Sequence, residues 1–122
     1  MRPVRHGDRL DVAVRLPAGA DVQITLHDIR PWRDTLRIVA VLAEGFDPAN
    51  DAGDGALFVY GAGDRGPSEP REHAFDGIID LHADHPADVV HLYVTDIDGA
   101  VVDPALLELG EVEVDVAATP AP

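Results

Sequence analysis

Apolar and polar residues alternate along several short stretches of this sequence, and this alternation restricts the fold more than any other feature. It runs from Arg9 to Leu16, from Asp21 to Leu26 and from Glu111 to Val116. Because successive side chains of a strand point to opposite faces of a sheet, each stretch predicts a β-strand with one apolar face. The residues predicted to face the core are Leu10, Val12, Val14, Leu16, Val22, Ile24, Leu26, Val112, Val114 and Val116.

Four further stretches predict strands through their β-branched and aromatic residues. They are Leu36 to Ala43, Ala56 to Tyr60, Phe75 to Leu81 and Val89 to Thr95. The first is almost continuously apolar, which is typical of a central strand buried on both faces. Its length also suits a short helix, but its β-branched residues favour a strand.

Glycine, proline and aspartate mark the connections between these strands. Pro17 to Ala20 predicts a tight turn that joins the first two strands as a β-hairpin. Asp96 to Gly99 is the strongest hairpin signal, because Asp-Gly readily supplies the positive φ of a type I′ turn, and Ala100 to Val102 is the predicted return arm. Pro104 to Leu109 predicts one helical turn, which Gly110 ends.

These elements predict an all-β fold. We expect a single antiparallel β-sandwich or small barrel of seven or eight strands, with at most one short helical turn near residues 104–109. A chain of 122 residues fits one domain. The domain is expected to cover residues 1–116, because the Ala- and Pro-rich segment 117–122 cannot continue a ladder and is predicted to be a flexible tail.

The charge and the apolar content exclude some classes of partner. The formal net charge of −14 repels the phosphates of nucleic acids and anionic membranes. No apolar run approaches the roughly 20 residues that span a bilayer, and the first residues lack the apolar middle of a signal peptide. The absence of cysteine excludes disulfides and thiolate chemistry. We therefore expect a soluble cytoplasmic protein, or a virion component if a phage encodes it, that binds neither nucleic acid nor membranes.

The charge is also divided along the chain. Residues 1–37 carry seven arginines and five acids, a net charge of +2, whereas residues 38–122 carry two arginines and eighteen acids, a net charge of −16. An acidic surface that keeps the protein soluble explains the composition. The alternative is that an arginine-bearing edge of one copy meets an acidic face of another copy or of a partner protein.

Two sets of oxygen-bearing side chains are candidate ligands for a hard cation such as Ca²⁺. One set lies in a predicted Gly-bearing loop, and the other surrounds the predicted Asp-Gly turn. The spacing of the loop set differs from that of the helical calcium loop, and turn formation explains both sets without an ion. The candidate ligands are Asp47, Asn50, Asp51 and Asp54 in the loop, and Asp96, Asp98 and Asp103 around the turn.

A group of histidines with interleaved aspartates is a candidate zinc or iron site, because imidazole and carboxylate suit these metals. The spacing lacks the helical His-x-x-x-His geometry, and the acidic surroundings instead predict histidines with raised pKa values on a pH-dependent surface. The group comprises His73, His82, His85 and His91 with Asp80, Asp84 and Asp88.

The sequence predicts no catalytic residues. Ser68 is the only serine and lies between Pro67 and Glu69, without the strand-turn-helix context of a nucleophile. The segment Arg30-Pro31-Trp32-Arg33 is instead a candidate interaction site, since Trp and Arg dominate protein interfaces. The alternative is that Trp32 covers the open end of the core.

Residues 35–99 resemble the TerD-type tellurium-resistance and stress-response family. The resembling segments are Thr35 to Val41 leading to Gly45-Phe46-Asp47-Pro48, where that family has a Gly-Trp-Asp turn, then Phe58 to Tyr60, Gly63-Asp64, Ile78 to Leu81, Pro86 to Val89 and His91 to Ile97. The resemblance implies an acidic calcium-binding β-sandwich, although the family's Asp-Leu-Asp-Ala-Ser motif is absent. Val41 to Glu44 with Ala56 to Tyr60 is also faintly similar to bacteriophage head-decoration proteins.

Three functional hypotheses follow from these features. The first is a non-enzymatic β-sandwich that acts through protein–protein contacts as an assembly, decoration or scaffold module. The second is an acidic calcium-binding stress-response protein that resembles the TerD family. The third is a metal-dependent enzyme built on the histidine group. The sequence predicts no definite cofactor: Ca²⁺ is the candidate of the second hypothesis, and zinc or iron that of the third. The expected partner is another protein or a second copy of this chain.

Overall fold

The computed structural model describes residues 2–31, 36–42, 55–59 and 75–117. Nearly all of these residues belong to β-strands, which confirms the all-β fold. No helix among them is long and apolar enough to cross a membrane. The strands are β1 (Val4–His6), β2 (Arg9–Leu16), β3 (Ala20–Pro31), β4 (Leu36–Val41), β5 (Gly55–Val59), β6 (Phe75–Ala83), β7 (Ala87–Thr95), β8 (Leu107–Glu108) and β9 (Val112–Ala117).

The strands form two antiparallel sheets that pack face to face as a sandwich. The first sheet has the order β1-β2-β7-β4-β5. In the second sheet β3 is central: β6 pairs with one side of it, and both β9 and β8 pair with it as well. The two inner faces share one apolar core, whose fully buried members include Val12, Ile24, Leu26, Ile38 and Leu92. The alternating residues predicted to point inward supply much of this core.

The predicted hairpin between β2 and β3 is wrong. The turn itself is present, since the Ala20 N–H donates to the Pro17 carbonyl at 3.3 Å and Gly19 has a φ of 81°. However, β2 pairs with β1 and β7, whereas β3 pairs with strands of the second sheet. The turn therefore carries the chain from one sheet to the other. The alternating pattern does not distinguish these arrangements, because both direct the same residues into the core.

The prediction for the central apolar strand is confirmed. On one face of β4, Leu36, Ile38 and Ala40 join the main core. On the other face, Val39 and Val41 form a second buried cluster with Tyr93. Arg37 interrupts the apolar run and donates from Nε to the Thr95 hydroxyl at 3.2 Å.

Two glycines allow the sheets to approach where β5 meets β6. A Cβ at Gly55 would lie 2.7 Å from the carbonyl oxygen of Asp80, and a Cβ at Gly77 would collide with the side chain of Leu57. Backbone atoms occupy this space at Gly55 and the half-buried side chain of Leu57 occupies it at Gly77, so a larger residue at either position would force a shift. The two sheets therefore lie close together on the side where β5 meets β6.

The reversal after β7 is confirmed, but its predicted turn type is wrong. The Gly99 N–H donates to the Asp96 carbonyl at 3.1 Å, and Val101 bridges back to Thr95. A type I′ turn needs positive φ at both central residues, which here are Ile97 and Asp98. Neither has it, whereas Gly99 has a φ of 91°. A β-branched isoleucine disfavours positive φ, so the glycine takes the left-handed conformation instead.

The end of the described chain matches the prediction in part. The expected helical turn is a 3-10 turn over Pro104–Leu106, capped by the Asp103 carboxylate, which accepts from the Ala105 N–H at 2.9 Å. Val112 faces the core as predicted, but Val116 is 39% exposed. Because β9 has a neighbouring strand on one side only within the described residues, the last residues of this edge strand are poorly covered.

Candidate functional site

The outer surface of the second sheet carries charged side chains on β3, β6 and β9. Gln23 on β3 lies between Asp80 on β6 and Asp115 on β9, and Thr25 lies between Ile78 and Glu113. We call this surface the acidic face. Its ionisable members are Asp21, His27, Asp76, Asp80, His82, Glu113 and Asp115. A shallow depression of about 690 Å³ crosses it.

His27 connects all three strands of the acidic face. Its Nδ1 lies 3.1 Å from the Asp76 carboxylate, and its Nε2 lies 3.4 Å from the Glu113 carboxylate. The second Asp76 oxygen accepts from the backbone N–H of Asp28, whose φ of 57° marks an irregularity in β3. The hydrogen bond that Asp76 accepts raises the pKa of His27, while the hydrogen bonds from the Asp28 N–H and from His27 lower the pKa of Asp76. When it is protonated, the imidazole forms ion pairs that join β3 to β6 and β9.

His82 forms a second, more exposed pair on the same face. Its Nδ1 lies 2.7 Å from the Asp21 carboxylate, and its Nε2 lies 3.6 Å from that of Asp84. The hydrogen bond to Asp21 raises the pKa of His82. The sequence predicted a raised pKa for His82, and the structure gives the same direction. His27 has a raised pKa as well, but it did not belong to the predicted histidine group.

The raised pKa values of His27 and His82 predict that the fold loses stability as the pH rises above neutrality. A raised pKa means that protonation favours the folded state, and this contribution is fully present below the unfolded pKa of about 6.5. It is lost as the pH rises through the folded pKa. The free energy of unfolding, measured by urea denaturation, should therefore fall from pH 6 to pH 8. In a His27→Gln/His82→Gln variant this fall should be smaller, and an unchanged pH profile would refute the prediction.

The histidine group proposed from the sequence is not brought together. His82 lies on the acidic face of the second sheet, whereas His91 lies on β7 of the first sheet, on the face away from the shared core. His85 is exposed in the connection between β6 and β7, and His73 lies outside the described residues. Within the described ranges, no three His, Cys, Asp or Glu side chains are grouped closely enough to hold a metal ion.

A buried Asp–His pair is a feature that the sequence did not reveal. The His91 side chain is 2% exposed, and its Nδ1 lies 2.7 Å from Asp11 Oδ1, which also accepts from Arg9 Nε at 3.0 Å. Burial opposes ionisation of Asp11, but the hydrogen bonds and electrostatic interactions with His91 and Arg9 outweigh it and lower the pKa of Asp11. Within the described part of the chain, His91 Nε2 has no hydrogen-bond partner. Only the pairing of β2 with β7 brings Asp11 opposite His91.

The candidate calcium ligands have different outcomes. Asp47, Asn50, Asp51 and Asp54 lie outside the described residues. Around the turn, the Asp96 carboxylate accepts from the backbone N–H groups of Asp98 and Ala100 at 2.9 and 3.0 Å. The Asp103 carboxylate caps the 3-10 turn and pairs with Arg5 at 3.0 Å. Asp96 and Asp103 thus have structural partners, and calcium binding stays a prediction.

The proposed interaction segment is described only at its start. Arg30 is exposed at the end of β3, opposite Glu108 on β8. Trp32 and Arg33 lie outside the described residues, so the role of the tryptophan stays a prediction.

Comparison with known proteins identifies no relative. No protein-family model matches the chain, and no curated protein matches it. The resemblance to the TerD family and to head-decoration proteins therefore stays a prediction that rests on the quoted residues.

Proposed function

We propose that this domain is a non-enzymatic module that acts through protein–protein contacts made by its acidic face. The observation that carries the proposal is the composition of that face. Five carboxylates lie on three paired strands, and the two histidines neutralise at most two of them. Such a surface attracts a partner with positive charge, because complementary potentials favour encounter and fix orientation.

An exposed apolar residue on the acidic face supports this assignment. Ile78 projects from β6 beside Thr25 and is 50% exposed. Protein interfaces combine apolar and charged side chains, and Ile78 lies between Asp76 and Asp80 along β6. Both features belong to paired strands, so a partner would meet a preformed surface and little ordering entropy would oppose binding.

The enzymatic alternative has less support. Catalysis requires a reactive group that a substrate can reach. The Asp11–His91 pair has the chemistry of a base and its orienting carboxylate, but the imidazole is almost completely buried. The histidines on the acidic face are accessible, yet each is already paired with carboxylates.

Photo-crosslinking in cells that express the chain tests the proposal. The crosslinking amino acid p-benzoylphenylalanine would replace Ile78 on the acidic face and, as a matched control, Ile97, which is 65% exposed at the turn after β7. We expect irradiation to produce a discrete protein adduct from position 78 and none from position 97. An Asp80→Asn/Asp115→Asn background should reduce the adduct. No adduct, or equal adducts from both positions, would refute the proposal.

A further inference from the structure

A groove beside β1 presents arginine side chains, in contrast to the carboxylates of the acidic face. It lies between β1 and the segment that contains the 3-10 turn and β8, and its volume is about 240 Å³. Arg2 and Arg5 lie at this groove, and Leu10, Leu107 and Leu109 supply apolar surface. Its volume is below the roughly 300 Å³ at which small-molecule pockets begin, so it suits one or two side chains of a protein.

The arginines of this groove are available to a partner. Arg2 is exposed and has no ion pair within the described residues. Arg5 pairs with Asp103, but more than half of each side chain is exposed. Exposed pairs contribute little free energy, so Arg5 can exchange Asp103 for another carboxylate at small cost. β1 itself pairs only with β2 in the described part, which leaves its other edge open.

A segment with matching chemistry lies at the edge of the other sheet. β9 alternates valine with acidic residues, and β3 is its one pairing strand within the described ranges. Asp115 and, just before the strand, Glu111 are exposed, and Val116 is partly exposed. The end of this strand can therefore offer the Asp115 carboxylate to Arg2 or Arg5 and the Val116 side chain to the groove. The pairing of Asp115 with Gln23 and of Val116 with Val22 holds both away from the groove of their own chain, whose lining ends at Gly110.

We propose that the groove beside β1 binds the β9 edge of a second copy of this chain, which joins copies head to tail. This inference rests on the proposed function and names the partner of the acidic surface as another copy. The two contacting surfaces are different, so the contact is heterologous and does not close in a dimer. The net charge of −14 does not prevent this association. At physiological salt, screening limits the repulsion between the two copies to distances of about 8 Å, whereas ion pairs in direct contact are screened less.

Sedimentation velocity at 150 mM NaCl tests the proposal with two charge-reversed variants. Wild-type protein should show an average mass that rises with concentration above that of the 13.0 kDa monomer. An Arg2→Glu/Arg5→Glu variant and an Asp115→Arg variant should each associate about tenfold more weakly or remain monomeric. An equimolar mixture should associate again, because each variant retains one intact surface and the two reversed surfaces are complementary in charge to each other.

Two matched variants control for charge alone. Arg15→Glu changes an exposed arginine on β2, and Asp84→Arg changes an exposed acid between β6 and β7. Both should associate as wild type does, and melting curves would verify that every variant folds. A monomeric wild type at all concentrations, or an unaltered groove variant, would overturn the inference. If the wild type stays monomeric while the Ile78 adduct contains a different protein, the inference fails and the proposed function stands.

Discussion

Replacing Leu26 with alanine should lower the free energy of unfolding by about 2 to 5 kcal/mol. Leu26 is 0% exposed, and on the central strand β3 it lies between Gly77 of β6 and Val112 of β9. The substitution removes buried apolar surface and leaves a cavity, because glycine on one side has no side chain that could fill the space. Urea denaturation followed by circular dichroism would measure the loss.

An exposed aliphatic residue provides the control for Leu26. Val4 on β1 is 68% exposed, so Val4→Ala should change the free energy of unfolding by no more than about 0.5 kcal/mol. A loss below 1 kcal/mol for Leu26→Ala would mean that β3 is not the centre of the sandwich. Comparable losses for both variants would lead to the same conclusion.

Replacing Asp11 with alanine should destabilise the fold by about 1 to 3 kcal/mol, which is the cost of leaving a buried polar group without a partner. The variant removes the only hydrogen-bond acceptor that the described structure provides for His91 Nδ1, and the imidazole stays buried. It also releases Arg9, which donates to the same carboxylate oxygen. Chemical denaturation at pH 7 would measure this effect.

A double-mutant cycle measures the interaction between Asp11 and His91 separately from the contacts that each residue makes with the rest of the fold. In an Asp11→Ala/His91→Leu variant neither partner is left unsatisfied, so the combined loss should be smaller than the sum of the two single losses. Asp84→Ala, an exposed aspartate between β6 and β7, should be nearly neutral. An Asp11→Ala variant as stable as wild type would show that the buried pair contributes nothing.

The lowered pKa of Asp11 also predicts that the free energy of unfolding decreases at acidic pH. Because its pKa is lowered in the folded state, its contribution is present above the unfolded pKa of about 3.9 and is lost as the pH falls through the folded pKa. Asp76 acts in the same direction. These carboxylates and the two histidines on the acidic face therefore limit stability at opposite ends of the pH range.

The sequence predicted an acidic surface, but it did not show which of the charged residues lie next to one another. The excess of acids after residue 37 predicted an acidic surface, and His82 with Asp80 and Asp84 was noted as a group. His27 was missed because its partners Asp76 and Glu113 lie far along the chain. They meet His27 only because β6 and β9 pair with β3.

The sequence by itself determined most of the strands and which of their side chains point toward the shared core, because period-two alternation assigns each side chain to a face whatever the partner strand is. Only the tertiary structure showed which strands pair. The sequence predicted a hairpin of β2 and β3, but the two strands belong to different sheets. That choice depends on contacts between distant segments, such as Asp11 with His91. A local pattern carries no information about them, since the same alternation satisfies every pairing that keeps the apolar faces together.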